Sequence, residues 1–280
     1  MTQFEPPGGA PQVKLVLAYD GTGFHGFAAQ RDVRTVEGEL TAALTKILRH
    51  EVDLSVAGRT DAGVHAWGQV VSFPADFGLE PDRIQARLNS MLGPELVVRS
   101  AALAPHDFHA RYSTRSRTYR YTIVNRRVAD PFLTRYAWWV DAPLDLRALR
   151  LASDPFVGEH DFAAFCRRGA AGSTTQRRVF RSEWTDLGDG CLRYEITANA
   201  FCWQMVRSLV GTLVDTGLGR RRPGEMLSIL RSRDRSTTSP VAPAHGLVLW
   251  SVDTGLDDVA DTSDEAAVPR PPDDVGYSSR

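Results

Sequence analysis

Among the acids of this chain, Asp61 has the surroundings best suited to chemistry. It sits in A-G-R-T-D-A-G-V-H-A (Ala57–Ala66), two residues after Arg59, with Gly58 and Gly63 to either side. Glycines let a backbone bend sharply, and bent loops on a rigid scaffold are where functional side chains are often held. An arginine close by favours the charged carboxylate. Such an acid is a poor proton donor and a good nucleophile or general base. Hydrolysis by a pair of carboxylates requires a second acid across the substrate. No matching loop in the sequence offers one, so a reaction served by one acid is expected. At this level the plainer reading, a turn in which Asp61 caps backbone N–H groups, stays open.

The second chemical signal is basic. Arg99–Arg127 holds seven arginines, two histidines and one acid. On a strand, Arg117, Tyr119, Tyr121 and Ile123 share one face and Arg120 points to the other. Arginines interleaved with tyrosines suit phosphate contact and base stacking. Arg167, Arg168, Arg177, Arg178 and Arg181 form a second cluster, and Arg220–Arg222 a third. Three basic groups point to a polyanion, although the net charge is only −1. That balance hides an asymmetry: residues 253–280 carry eight acids against two arginines, which leaves the remainder basic. Lys14 and Lys46 are the only lysines among 33 basic residues.

Other motifs fail on context. G-T-G-F-H-G (Gly21–Gly26) follows a strand pattern, but helical spacing resumes only near Val36 and the expected acid is missing, so a dinucleotide site is not expected. V-D-T-G-L occurs at Val214 and again at Val252, without the strand-and-turn setting an aspartic protease needs. His106 and His109 lack a third ligand nearby, and the other histidines, His65 among them, are scattered; no metal site is expected. Cys166, Cys191 and Cys202 are few, odd in number and without C-x-x-C spacing, which argues against a disulfide framework. Residues 1–12 show no signal-peptide pattern, and no apolar run reaches membrane-spanning length. The expectation is a protein of the reducing cytoplasm.

The elements that must position Asp61 follow from periodicity. V-K-L-V-L-A-Y (Val13–Tyr19) reads as a strand. Val36, Leu40, Leu44, Ile47 and Leu48 mark a helix. L-S-V-A and W-G-Q-V-V-S-F are strands on either side of the Asp61 loop. Ile84, Leu88 and Met91 mark a second helix stopped by Gly93-Pro94, and E-L-V-V-R-S-A-A-L is a strand. The order β-α-β-β-α-β then recurs loosely. It runs through a strand over 117–124, a helix at Leu146 and Leu149 and a hairpin around Gly188–Gly190. An apolar helix from Trp203 to Thr216, a short one over 224–231 and a strand over 246–252 complete it. The expectation is an α+β protein with a mixed, mostly antiparallel sheet flanked by helices, built as halves 13–104 and 105–252. Disordered tails are expected at 1–12 and 253–280. Arg207 is anomalous inside the apolar helix: an unpaired buried charge is costly, and Asp61 is a candidate partner.

G-R-T-D-A-G-V-H-A closely resembles the signature of the tRNA pseudouridine synthase A family. In chain order, Y-D-G-T-G-F-H-G-F, R-T-V-E-G-E-L, D-F-H-A-R-Y-S-T-R-S-R-T-Y-R-Y, G-E-H-D-F-A-A-F-C, M-V-R-S-L-V-G-T-L and A-P-A-H-G-L-V-L resemble its further blocks, over roughly residues 13–252. The resemblance implies the pseudouridine synthase fold. The implied reaction converts uridine to pseudouridine at positions 38, 39 and 40 of the tRNA anticodon stem-loop, by a cytoplasmic homodimer that needs no cofactor. Asp61 would be the essential nucleophile or base, and Arg59 would help extrude the uridine. Tyr119 would lie against the uracil, Arg207 would pair with Asp61 and Leu247 would pack beside the base. Arg111, Arg117 and His65, from the same blocks, are expected at the substrate. The chain departs from the family where G-W-Q commonly follows the first block and Gly26-Phe27-Ala28-Ala29 stands here; F-C-W-Q before Met205 is also individual.

Overall fold

The strand at the chain's start, β1 (Gln12–Tyr19), is packed on both sides by sequence neighbours of its own half. It pairs antiparallel with β3 (His65–Pro74) and with β4 (Leu96–Ala104), and the short β2 (Ser55–Val56) extends β3. In the computed structural model, which describes residues 10–76, 78–167 and 174–256, the second half is assembled in the same way. Its first strand, β5 (Ser116–Val124), lies between β9 (Cys191–Ala198) and β10 (Leu247–Asp253), both antiparallel to it. β8 (Gln176–Gly188) continues from β9 as a hairpin and β7 (Gly158–Asp161) closes that edge, while β6 (Trp138–Trp139) adds two residues alongside β5. The sheet order is β4-β1-β3-β10-β5-β9-β8-β7.

Five α-helices among the described residues flank the sheet: α1 (Val36–Leu48), α2 (Pro81–Leu92), α3 (Leu146–Ser153), α4 (Met205–Gly217) and α5 (Glu225–Ser232). α1 starts where Thr35 Oγ1 accepts from the Gly38 N–H at 3.2 Å, the side-chain cap such a residue supplies. It buries the expected Val36, Leu40 and Leu44. α2 opens on Pro81 at its first position, where the missing N–H costs nothing. It buries Ile84 and Leu88 while Met91 stays exposed. One buried core runs through both halves, with Leu15, Leu40 and Val70 from the first and Tyr121, Tyr194 and Leu209 from the second.

The expected elements are present, with differences at their ends. α4 begins at Met205 rather than Trp203, because Gln204 adopts a left-handed backbone (φ 62°) that interrupts the helix. β6 and β7 were not legible, being two and four residues long with no alternation to reveal them. The expected tails lie for the most part outside the described residues; at their inner ends Gln12 belongs to β1 and Asp253 to β10.

The halves meet where β10 runs parallel to β3, and the join is short: Val248 pairs with His65 and Leu249 with Ala66. Side chains on one face reinforce it. Trp67 of β3 stacks on Trp250 of β10 (centroids 5.8 Å apart, planes 15° apart). Arg99 covers Trp67 at 4.2 Å and Arg120 covers Trp250 at 3.8 Å, and Arg120 pairs with Glu195 at 2.6 Å. Cation–π contacts of this kind contribute about 0.5–1 kcal/mol each at exposed sites. Below them Gly68 lets the backbones close, since a Cβ there would lie 2.6 Å from the Trp250 carbonyl oxygen. Gly68→Ala is therefore expected to destabilise the protein by about 1–3 kcal/mol, read as a lower urea midpoint, with backbone rather than a yielding side chain opposing the new methyl.

Candidate active site

The Asp61 loop spans residues 57–64 between β2 and β3, and backbone contacts to the first half fix it. Phe27 N–H donates to Thr60 O at 3.0 Å, Gly63 N–H to Phe24 O at 3.3 Å, and Val64 N–H to Asp61 O at 3.1 Å. Beneath the loop, fully buried Gln69 donates from Nε2 to Gly58 O at 2.6 Å, and Tyr19 Oη and Thr60 Oγ1 share a bond of 2.8 Å. The two glycines have different tasks. Gly63 makes the bend, at φ 75°. Gly58 leaves room for Arg117, whose Nε would lie 3.3 Å from a Cβ at that position.

Asp61 thus reaches a cleft of about 860 Å³, within the range that small-molecule sites occupy. Its carboxylate is about a quarter exposed, and Oδ2 lies 3.5 Å from Nη1 of Arg207, itself 15% exposed. Arg207 stands in the first turn of α4, with Nε donating to the Ala242 carbonyl at 2.8 Å. The odd charge in the apolar helix therefore has the carboxylate that sequence reasoning named as a candidate. Spacing alone pointed to Arg59 as the counter-ion. In the structure Arg59 is exposed on the cleft and forms no ion pair with Asp61 among the described residues.

An apolar wall faces the carboxylate. Tyr119 and Leu247 both line the cleft, at 7% and 5% exposure, and the Tyr119 ring meets Phe201 edge-on at 5.0 Å. Burial pushes the Tyr119 phenol well above its ordinary range, so it is neutral at physiological pH. Glu37 and Asp53 also border the cleft; Glu37 Oε2 accepts from Ala29 N–H at 2.6 Å.

The remaining expected site residues divide. Arg111 borders the cleft and is exposed. Arg117 also borders it, but its donors are committed to backbone: Nε and Nη2 to Ala57 O, and Nη1 to Asn199 O at 2.8 Å. It ties the Asp61 loop to the end of β9. His65 does not line the cleft. It is 3% exposed, with Nδ1 accepting from Gly21 N–H at 3.0 Å and Nε2 facing His245 O at 3.1 Å. That places the proton on Nε2. Asp20 accepts from the Tyr136 hydroxyl at 3.0 Å and has Oδ1 3.2 Å from His65 Nδ1, a contact that becomes an ion pair only when the ring is protonated. Arg177 borders the cleft with Nε buried and unpartnered among the described residues. Arg168 lies outside the described residues. The third basic cluster is largely paired, Arg220 with Asp215 at 2.9 Å and Arg221 with Glu225 at 3.8 Å.

Two features escaped the sequence. Trp203 donates from Nε1 to Asp61 Oδ1 at 3.0 Å. Cys166 and Cys202, expected as separate thiols, are paired as a disulfide with Cα atoms 5.7 Å apart, across a separation of 36 residues. That pairing depends on two loops meeting in space, which cysteine count and spacing do not encode; Cys191 remains a buried free thiol.

Similarity to known proteins bears on what this cleft does. The family model described as tRNA pseudouridine synthase matches residues 15–113 and 152–254. This chain belongs to that family. It is 41% identical over 241 residues to tRNA pseudouridine synthase A of Brevibacillus brevis, covering 86% of this chain and 98% of that one. It is 39% identical over 245 residues to the enzyme of the same name from Bacillus velezensis, with the same coverage. The Bacillus subtilis enzyme is 36% identical over 243 residues, again covering 86% and 98%. Among solved structures, one of an H/ACA RNP bound to a substrate RNA containing 2′-deoxyuridine aligns at 12% identity with a TM-score of 0.35, covering 72% of this chain and 44% of that one. That likeness is too slight to bear on function. Of the central cleft residues, Asp61 and Arg207 fall inside the segments that match the family model, and Tyr119 falls in the interval between them.

Burial of His65 gives the fold a pH dependence. Desolvation lowers its proton affinity, partly offset by the charge of Asp20. A histidine depressed in the folded state contributes stability that is present above the unfolded value of about 6.5 and is lost as the pH falls through the folded value. Urea midpoints measured across that acid window should drop for the wild type and drop less for His65→Gln.

Proposed function

We propose that this chain isomerises uridine to pseudouridine in tRNA, at positions 38, 39 and 40 of the anticodon stem-loop. The observation that carries the reading is the carboxylate of Asp61, beside the Arg207 guanidinium at 3.5 Å and next to a wall formed by Tyr119 and Leu247. The reaction breaks the N1–C1′ bond, turns the uracil, and forms C5–C1′. The proton lost from C5 is matched by one gained at N1, so nothing is oxidised or hydrolysed and one acid suffices. Asp61 acts as nucleophile on the sugar or the base, or as base toward the sugar. Arg207 offsets its charge. Leu247 and the flat face of Tyr119 hold the detached base while it rotates. Because the phenol is neutral, it can pass on the C5 proton only as its own O–H proton leaves.

The target nucleotide must first leave its stack, at a cost of a few kcal/mol. Arg59, exposed at the mouth, takes up the space so opened, and phosphate contacts from Arg111 supply binding energy. Arg117 serves substrate indirectly, by fixing the loop on which Asp61 stands. His65 takes the same indirect role through Gly21 and the start of the first half. We extend the reading to a homodimer working in the cytoplasm, on the resemblance of the sequence blocks. Sedimentation of the purified chain at twice its monomer mass supports the dimer, and thiol trapping in intact cells reads the state of Cys166 and Cys202 there.

Asp61→Asn is expected to abolish pseudouridine formation on purified tRNA transcript while leaving tRNA affinity unchanged, and to lower the melting temperature because Arg207 loses its charged partner; turnover at the wild-type rate would remove the assignment. Affinity for tRNA should decline log-linearly with salt, and Arg111→Ala should flatten that slope by about 0.7–0.9 for each phosphate that the arginine neutralises.

A further inference from the structure

Trp203 stands in the stretch F-C-W-Q (Phe201–Gln204), between the end of β9 and the start of α4. It is 46% exposed, yet its surroundings hold it firmly. Arg167 N–H donates to the Trp203 carbonyl at 2.8 Å, and the Arg167 guanidinium covers the indole at 4.3 Å. The Cys166–Cys202 bond joins the residues immediately before these two. On the other side, Gln204 turns left-handed and accepts from Arg235 Nη2 at 3.3 Å. A ring fixed in this manner directs its one donor, Nε1–H, at Asp61 Oδ1, 3.0 Å away.

The contact answers a mechanical need of the carboxylate. Two equivalent oxygens can exchange by rotation about the last side-chain bond, a broad and roughly two-fold torsion. Arg207 approaches Oδ2 at 3.5 Å, and its Nε is already committed to Ala242 O. It supplies charge at a distance where a hydrogen bond directs little. The indole contact is shorter and lies in the range where direction matters.

We propose that Trp203 is a positioning residue for Asp61: its indole N–H holds Oδ1 and leaves Oδ2, beside Arg207, as the oxygen presented to the target nucleoside. This rests on the reading of Asp61 as the reacting acid. It predicts that the ring nitrogen, rather than the bulk of the ring, carries the effect.

The test measures kcat and KM for pseudouridine formation on a tRNA transcript with the full chain as wild type, Trp203→Phe and Trp203→His, together with melting temperatures. Trp203→Phe should lower kcat by at least about tenfold, the loss of one hydrogen bond to a charged acceptor, with KM and melting temperature close to wild type. Trp203→His, which restores a ring N–H donor, should recover most of kcat. Both variants lose the same indole packing, so their kcat ratio isolates the N–H even if each melts lower. A Trp203→Phe enzyme with wild-type kcat, one whose only defect is a raised KM, or a Trp203→His enzyme no faster than Trp203→Phe would each overturn the proposal. Wild type that forms no pseudouridine would overturn the reaction assigned to the site, whereas an active wild type with an equally active Trp203→Phe overturns the role of Trp203 alone.

Discussion

A carboxylate and a guanidinium 146 residues apart in sequence hold the logic of this molecule. Asp61 comes from a loop of the first half and Arg207 from a helix of the second, both partly withdrawn from water. Taking either charge out of solvent alone is expensive, and the cost falls only when the two are brought together. The sheet brings them together. β3 delivers the Asp61 loop, β9 and the turn after it deliver α4, and β10 lies between β3 and β5 to set their spacing. The cleft is consequently a property of the junction, and neither half contains it.

This dependence explains why so many polar side chains near the cleft are spent on backbone. Arg117 grips Ala57 and Asn199, Gln69 grips Gly58, and Arg207 grips Ala242. Each fixes one loop edge against another element. A reacting carboxylate must be held closely to be useful, since small misplacements of reacting groups cost large factors in rate. Residues whose types suggest contact with phosphate can therefore act one step removed from it, as Arg117 does through the Asp61 loop.

Much of the fold could be read in the sequence because its signals are local. Helical spacing at Val36, Leu40 and Leu44, the Gly93-Pro94 stop after α2, and alternation through Tyr119, Tyr121 and Ile123 all report on a residue's near neighbours. Asp61 stood out for the same reason, with glycines and an arginine beside it. What could not be read required knowledge of distant chain. Spacing favoured the neighbouring Arg59 as the counter-ion of Asp61, and the Arg207 pairing, legible only as a candidate, needed the fold to bring helix and loop together. Cys166 finds Cys202 because two loops converge. Trp203 looked like the start of an apolar helix, and only the left-handed Gln204 turns it out of that helix and over the cleft. His65, inside the signature stretch, points away into a closed network with Asp20 and Gly21.

The place of β10 has a consequence for how the protein comes into being. The strand synthesised last among the described elements sits in the middle of the sheet, with the two halves on either side. As the chain leaves the ribosome, each half can organise its own strands, yet the stretches that β10 pairs, His65–Ala66 of β3 and Ser116–Tyr121 of β5, stay open until Leu247–Asp253 arrives. Open strand edges invite pairing with other chains. A chain released before β10 is made would therefore carry two sticky seams and a cleft without Leu247, and such a product is suited to quality-control proteolysis rather than to partial activity.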